Sequence, residues 1–169
     1  MLDTEAKFPA RHTGGMSSSI AVVLAAGGGT RFDGPTHKLF AELPETRPRP
    51  AETVLARSVA TAQEAAIGPV IVVSGALDAS LIADELSELD GDITVLHNPS
   101  WADGQMTSVQ LGIAAGRERG AGRVVIGLGD QPGVNAEAWR AVAAAEGSIA
   151  VATYDGRRGN PVALRSDIW

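Results

Sequence analysis

The chain has 169 residues, a length typical of one domain with a single buried core. Its 20 acidic and 14 basic residues give a net charge of −6, which argues against nonspecific binding to a nucleic-acid backbone. The absence of cysteine excludes disulfides, thiolate metal sites and cysteine nucleophiles. The longest apolar run, 20–26, is too short to span a membrane, and residues 1–15 lack the apolar segment of a secretory signal. We therefore expect a cytoplasmic domain over 16–169, preceded by a flexible extension over 1–15.

Short apolar segments alternate with amphipathic segments along the chain. We predict strands at 20–24, 70–73, 93–96, 124–128 and 149–153, with a sixth at 161–164. We predict helices over 51–66, 78–89, 106–118 and 135–146, and a proline-rich surface loop over 44–50. The alternation is typical of right-handed βαβ units, which predicts an α/β fold, Rossmann-like and three-layer α/β/α, with a mostly parallel sheet. Ligands of such sheets bind beyond the carboxyl ends of the strands.

A glycine-rich segment follows the first predicted strand and reads Leu24-Ala-Ala-Gly-Gly-Gly-Thr-Arg-Phe-Asp-Gly-Pro-Thr-His-Lys38. Glycine lets backbone N–H groups approach a phosphate closely, and Arg31 and Lys38 can neutralise its charge. The segment is not a Walker A loop, because Leu39 stands where that motif needs serine or threonine. It is not a dinucleotide fingerprint, because Phe32 stands at the third glycine position. The remaining interpretation is a nucleotidyltransferase loop that binds a nucleoside triphosphate.

The same residues resemble the signature of the MobA-like nucleotidyltransferases, which activate molybdenum cofactor as its cytosine or guanine dinucleotide. The matching positions are Leu24 to Gly27, Arg31, Phe32, Gly34, Lys38 and Leu39. Lys38 lies seven residues after Arg31, where the family more often has five. The resemblance implies a fold of the nucleotide-diphospho-sugar transferase type and catalytic roles for Arg31 and Lys38. It also implies nucleotide binding by the glycine loop, namely Leu24, Ala25, Ala26, Gly27, Gly28, Gly29 and Thr30.

Asp130 follows the fourth predicted strand and precedes Gln131-Pro132. Packing does not explain an acidic side chain at the carboxyl end of a buried strand, whereas a Mg²⁺ ion binds carboxylate oxygens. The family carries Asp-x-Pro here and its aspartate binds the metal, so the resemblance implies that Asp130 is catalytic and holds Mg²⁺. The alternative is that Asp130 only caps the following helix.

The loop after the third strand fits the family's Asn…Trp…Gly…Ser pattern, in which loop and helix start bind nucleotide and substrate. The nucleotide-binding residues that we predict in addition to the glycine loop are Ser74, Asn98, Gly104 and Ser108. Two interpretations of Trp101 are equally open, stacking on a ring system and anchoring the loop. We expect His97 to be structural and Met106 to lie in the core.

The segment 157–161 resembles the family's Arg-Gly-His-Pro turn, with Asn160 in place of the histidine. An amide keeps the capacity for hydrogen bonds but cannot titrate. The substrate-binding residues implied by the resemblance are Gln131, Arg158, Gly159 and Asn160. Family members usually continue to a Gly-Asp-x-Gly-Ala-Arg-like segment that this sequence lacks, which implies a truncated chain or an incomplete metal site.

The resemblance implies transfer of a nucleoside monophosphate to a phosphate-bearing acceptor such as molybdenum cofactor, with Mg²⁺ as cofactor and pyrophosphate as product. Leu-Ala-Ala-Gly together with Asp-Gln-Pro resembles the members that use CTP rather than GTP. No nucleic-acid or membrane partner is expected. One alternative is a sugar-phosphate or methylerythritol-phosphate nucleotidyltransferase. The other is a catalytically weak nucleotide-binding accessory protein.

Overall fold

The structure is a computed structural model that describes residues 18–30, 32–44 and 52–169. Three features of the sequence lie outside the described residues: the extension over 1–15, Arg31, and the loop segment 45–50. Within the described part of the chain, no helix is long and apolar enough to cross a membrane.

Strands and helices alternate along the described residues. The strands are β1 (Ser19–Ala25), β2 (Glu42–Leu43), β3 (Glu52–Thr53), β4 (Val70–Ser74), β5 (Ile93–His97), β6 (Arg123–Leu128), β7 (Ile149–Tyr154) and β8 (Arg157–Arg165). The α-helices are α1 (Val54–Glu64), α2 (Ala79–Glu85), α3 (Gln105–Glu118) and α4 (Ala136–Ala144). Short 3₁₀ helices cover Lys38–Phe40, Trp101–Asp103 and Ser166–Ile168.

Six strands form the main sheet in the order β5-β4-β1-β6-β8-β7. Strands β5, β4, β1 and β6 are parallel, whereas β8 runs antiparallel to both β6 and β7. The mostly parallel sheet predicted from the sequence is therefore confirmed. The central strand β1 lies between β4 and β6, so the loops that follow these three strands meet at one edge of the sheet.

Helices cover both faces of the sheet, as a three-layer fold requires. Side chains of β1 alternate between the two faces, with Ala21 and Val23 in one apolar cluster and Val22 and Leu24 in the other. Buried residues of α1, α2 and α4 belong to the first cluster, and Ala115 of α3 belongs to the second. The central strand is buried on both faces, which explains its continuous apolar sequence.

Two expectations about local structure were wrong. The segment 157–161 is not a turn but the first part of β8, because the chain already reverses at Asp155 and Gly156, whose φ angles are 49° and 76°. Met106 is 64% exposed and lies outside the core, in the first turn of α3. The two-residue pair β2–β3 was not predicted at all.

Arg123, at the start of β6, is buried, and its guanidinium group donates to backbone carbonyls at the end of α4. Its Nη1 lies 3.2, 2.6 and 2.7 Å from the carbonyl oxygens of Val142, Ala143 and Ala145, and Nη2 lies 3.1 Å from that of Gly147. The last carbonyls of a helix have no partners within the helix and carry partial negative charge. The cation therefore both caps α4 and fixes it to the sheet.

We expect Arg123→Met to lower the free energy of unfolding by about 2–4 kcal/mol, because several buried carbonyls lose a charged donor. Urea denaturation measures this as a lower midpoint at unchanged slope. The matched control is Arg140→Met, which removes an exposed guanidinium that donates to one carbonyl, that of Glu64, at 3.0 Å. Equal losses in the two variants would show that Arg123 has no special capping role.

Candidate active site

A cavity of about 710 Å³ opens at the carboxyl ends of β1 and β6. It is the place where a parallel α/β sheet most often binds its ligand. Its lining residues come from the glycine loop, the 3₁₀ helix after it, the turn after β6 and the start of α3. They are Leu24, Ala25, Ala26, Gly27, Gly28, Gly29, Thr30, Phe32, His37, Lys38, Leu39, Trp101, Gln105, Ser108, Leu128 and Asp130.

The second half of the glycine loop, Gly27 to Thr30, forms one wall of this cavity. Gly29 has a φ angle of 61°, in the left-handed region that favours glycine, and its carbonyl accepts the N–H of Phe32 at 2.9 Å. No described residue accepts a hydrogen bond from the backbone N–H groups of 27–30. Unpaired N–H groups in a tight loop at the end of a strand are suited to bind an anion.

Lys38 and Asp130 form an ion pair at the cavity, with 2.8 Å between Nζ and Oδ2. Lys38 begins the 3₁₀ helix after the glycine loop, and Asp130 lies two residues after the end of β6. Their side chains are 40% and 39% exposed, so solvent screens the pair and both groups remain accessible to a ligand. The structure thus brings together the cation and the acid that the sequence predicts for one site.

The alternative that Asp130 only caps α4 is wrong. The N-cap of that helix is Asn135, whose side-chain oxygen accepts the N–H of Ala138 at 2.9 Å. The side chain of Asp130 instead lies among the residues that line the cavity.

A buried amide, Asn98, organises the wall of the cavity that comes from the loop after β5 and the start of α3. Its Nδ2 donates to Thr107 Oγ1 and Ser108 Oγ, both at 2.8 Å, and its Oδ1 accepts the N–H of Ser100 at 3.0 Å. These bonds fix the loop after β5 to the first turn of α3. Asn98 is only 4% exposed and does not line the cavity.

Three other predicted nucleotide-binding residues differ in their access to the cavity. Ser108 lines it, although only 2% of the residue is exposed. Gly104 precedes α3 with a φ angle of 119° and does not line the cavity. Ser74 is fully buried beneath the loops, where its Oγ donates to the carbonyl of Leu96 at 3.4 Å and lies 3.3 Å from Nδ1 of His97.

Trp101 contacts the glycine loop and also faces the cavity. A Cβ on Gly28 would lie 3.5 Å from Cζ3 of Trp101, and a Cβ on Gly75 would lie 2.5 Å from its Cβ. The side chain is therefore a packing anchor between two loops. Because Trp101 remains 36% exposed, its ring can also contact a ligand in the cavity.

The predicted substrate-binding residues lie beside the cavity, on the β7–β8 hairpin and in the Asp130 turn. Asn160 Nδ2 donates to Gln131 Oε1 at 3.1 Å, which links the hairpin to the residue after Asp130. Tyr154 donates its hydroxyl to the carbonyl of Asn160 at 2.7 Å, and partial burial raises the pKa of this phenol. Gly159 lies against the Tyr154 ring, and Arg158 is exposed. None of the four predicted residues lines the cavity itself.

His37 and Gln105 line the cavity but were not among the predicted site residues. His37 immediately precedes Lys38 in the segment that carries the signature, so its position was a usable signal. Gln105 lies three residues before Ser108, on the first turn of α3, and nothing in its sequence context distinguishes it.

Asp130 fits a divalent cation that is held mainly by a ligand's phosphates. Among the residues that the structure describes, no cluster of three or more acidic, histidine or cysteine side chains could hold a metal by itself. Mg²⁺ usually binds proteins through one or two carboxylates and takes its other ligands from water and substrate phosphates. One accessible carboxylate beside a loop suited to bind an anion meets that requirement.

A mostly parallel sheet, a glycine loop after β1 and an acid after β6 are features of nucleotide-binding α/β proteins. The profile of the MobA-like NTP transferase domain matches residues 21–169, and the chain belongs to this nucleotidyltransferase family. No curated protein sequence matches the chain significantly.

Solved structures of related proteins share the fold. A nucleotidyl transferase from Methanothermobacter thermautotrophicus is 27% identical with a TM-score of 0.73, over 90% of this chain and 74% of that one. Rv0371c from Mycobacterium tuberculosis is 27% identical with a TM-score of 0.66, over 90% and 73% of the two chains. The same mycobacterial protein has been solved as a complex with manganese, with 26% identity, a TM-score of 0.61 and coverage of 89% and 72%.

Proposed function

We propose that this protein transfers CMP from CTP to a phosphate group on an acceptor such as molybdenum cofactor, and releases pyrophosphate. The observation that carries the proposal is the accessible ion pair of Lys38 and Asp130 beside a loop of unpaired backbone N–H groups. Membership of the MobA-like family supports nucleotidyl transfer as the reaction class.

The residues have distinct roles in this reaction. The N–H groups of 27–30, together with Arg31, bind the β- and γ-phosphates, and Lys38 binds the α-phosphate. Asp130 would hold Mg²⁺, and the ion would supply positive charge to offset that of the phosphate oxygens. A manganese complex of the related mycobacterial protein supports a divalent cation here.

The attacking group is an oxygen of the acceptor's phosphate. It forms a bond to the α-phosphorus of CTP while the bond from that phosphorus to the leaving pyrophosphate breaks. No general base is needed, because a phosphate monoester is already ionised at neutral pH. The protein contributes by holding the two phosphates in line and stabilising their charge.

The acceptor is proposed to bind at the hairpin beside the cavity. The bond between Asn160 and Gln131 places this hairpin next to Asp130. Arg158 adds an exposed cation, which suits an anionic acceptor. Gly159, which stands between Arg158 and Asn160, supplies backbone without a side chain.

Ala26 is the residue proposed to favour CTP over GTP. Ala26 lines the cavity, and its methyl group lies close to the loop after β4, where a Cβ on Gly75 would be 2.8 Å from it. The carbonyl of Ala26 also accepts the N–H of Ala76 at 3.1 Å, which holds the loop after β4 close. A methyl group in this narrow space leaves less room for a purine than glycine would.

We expect Asp130→Asn to lower Mg²⁺-dependent pyrophosphate release from CTP and acceptor about 100-fold or more, because the carboxylate that holds the cation is lost. The free energy of unfolding should change by less than about 1 kcal/mol, since the ion pair is largely exposed. Asp92→Asn is the matched control, because Asp92 is exposed and lies just before β5, at the opposite end of the sheet. Normal turnover in folded Asp130→Asn would refute the metal role. If the wild type releases no pyrophosphate, the alternative of a catalytically weak nucleotide-binding accessory protein is favoured.

Lys38 lies two residues further from Arg31 than is usual in the family, so the role of Lys38 needs a separate test. We expect Lys38→Arg to lower kcat nearly as much as Lys38→Ala, since a compact ammonium can approach one α-phosphate oxygen whereas a guanidinium is a wide planar fork. An arginine here would also bind the Asp130 carboxylate through two hydrogen bonds and occupy it. Single-turnover rates at saturating CTP measure the chemical step. Wild-type rates in Lys38→Arg would remove Lys38 from the catalytic residues.

In thermal-shift measurements with Mg²⁺, we expect CTP to raise the melting temperature more than GTP. Ala26→Gly should reduce the difference between the two nucleotides, because it removes the methyl group from the cavity wall. Ala163→Gly is the matched control: this residue is buried in β8, away from the cavity, so stability should fall while the preference for CTP persists. An equal or larger shift of the wild type with GTP would contradict the base assignment.

A further inference from the structure

His37 lies between the glycine loop and Lys38, and one of its ring nitrogens has a defined structural role. The backbone N–H of Leu39 donates to Nδ1 at 3.3 Å, so His37 caps the 3₁₀ helix Lys38–Phe40. In a neutral imidazole, one nitrogen accepts and the other carries the proton. The bond to Nδ1 therefore assigns the proton to Nε2 and makes Nε2–H a hydrogen-bond donor.

This second nitrogen is buried and unpaired. No described residue accepts a hydrogen bond from Nε2. The tip of the ring points at the glycine loop, because a Cβ on Gly29 would lie 3.0 Å from Nε2 and 3.4 Å from each adjacent ring carbon. Phe40 contacts the ring edge to face, with 6.3 Å between the centroids, and limits its movement. The imidazole is therefore held in a fixed orientation with its donor aimed at the loop.

A buried donor without an acceptor is unfavourable, and native proteins rarely keep one without a reason. The same cavity is lined by the N–H groups of 27–30, which no described residue accepts, and by Lys38, whose ammonium is paired with the Asp130 carboxylate. A partner for this set must accept several hydrogen bonds and carry negative charge. A polyphosphate oxygen has both properties.

We propose that His37 binds the triphosphate through Nε2–H, with the Leu39 bond fixing the tautomer that makes this possible. The inference rests on the proposed function in that it takes a nucleoside triphosphate as the ligand of the cavity. It adds a neutral donor to the anion site. A side chain at position 29, which the φ angle of 61° already disfavours, would also crowd Nε2.

Two variants of His37 distinguish triphosphate binding through Nε2–H from capping of the 3₁₀ helix through Nδ1. His37→Asn places an amide oxygen near the position of Nδ1, so it can still accept the N–H of Leu39, but it has no donor at the position of Nε2. His37→Gln reaches the position of Nε2 with its amide nitrogen and loses the cap. The probes are CTP with Mg²⁺ and inorganic tripolyphosphate with Mg²⁺, measured by titration calorimetry alongside melting temperature.

We expect His37→Asn to melt within about 2 °C of the wild type. It should bind both probes about tenfold more weakly or worse, which is the effect of losing a hydrogen bond to a charged group. His37→Gln should bind them within about threefold of the wild type despite a lower melting temperature. Wild-type affinity in His37→Asn, or affinity that follows melting temperature in both variants, would overturn the proposal in favour of a purely structural cap.

The tripolyphosphate measurement separates this inference from the proposed function. If the wild type binds tripolyphosphate and His37→Asn does not, the role of His37 stands even when CTP and acceptor give no pyrophosphate. If the wild type releases pyrophosphate and His37→Asn binds both probes normally, only the inference fails. If the wild type binds neither probe, His37 has no anion to bind and the inference fails as well.

Discussion

The site depends on the close approach of the loops that follow two parallel strands, β1 and β6. The N–H of Gly129 donates to the carbonyl of Leu24 at 2.9 Å, so the turn after β6 lies directly against the end of β1. A Cβ on Gly129 would lie 3.0 Å from a methyl carbon of Leu55 and 3.2 Å from the carbonyl oxygen of Leu24. A side chain at this position would therefore crowd both neighbours. Asp130, the next residue, reaches Lys38 across 92 positions of sequence.

The two walls of the cavity are built in different ways. The wall from β1 and β6 offers backbone N–H groups and Nε2 of His37, none of which has a partner among the described residues, together with the accessible ion pair of Lys38 and Asp130. The wall from β5 and α3 is held by Asn98, which forms three hydrogen bonds and leaves its amide satisfied. The unpaired groups of the first wall are available to a ligand, whereas the paired, buried groups of the second wall keep it rigid.

The sequence predicted the sheet well because its strands are buried on both faces and therefore read as short apolar runs. It also predicted that Lys38 and Asp130 share a site, since parallel strands end at one edge of the sheet. It failed where structure depends on pairing between strands: the turn at 157–161 is a strand, because the register of a hairpin is set by its partner. Whether Met106 faced the core was likewise decided by how α3 packs on the sheet. The role of His37 depends on which ring nitrogen is paired, and no sequence pattern carries that information.

The ion pair between Lys38 and Asp130 has a thermodynamic consequence for how ligands bind. Each charge partly neutralises the other, so the cavity with its pair intact attracts an anion less strongly than a free ammonium would. An anion that draws Lys38 away leaves the Asp130 carboxylate uncompensated and raises its affinity for a cation. Linkage then requires that a cation at Asp130 raise the affinity for the anion by the same factor. A cation at Asp130 and an anion at Lys38 would therefore be coupled through one 2.8 Å contact.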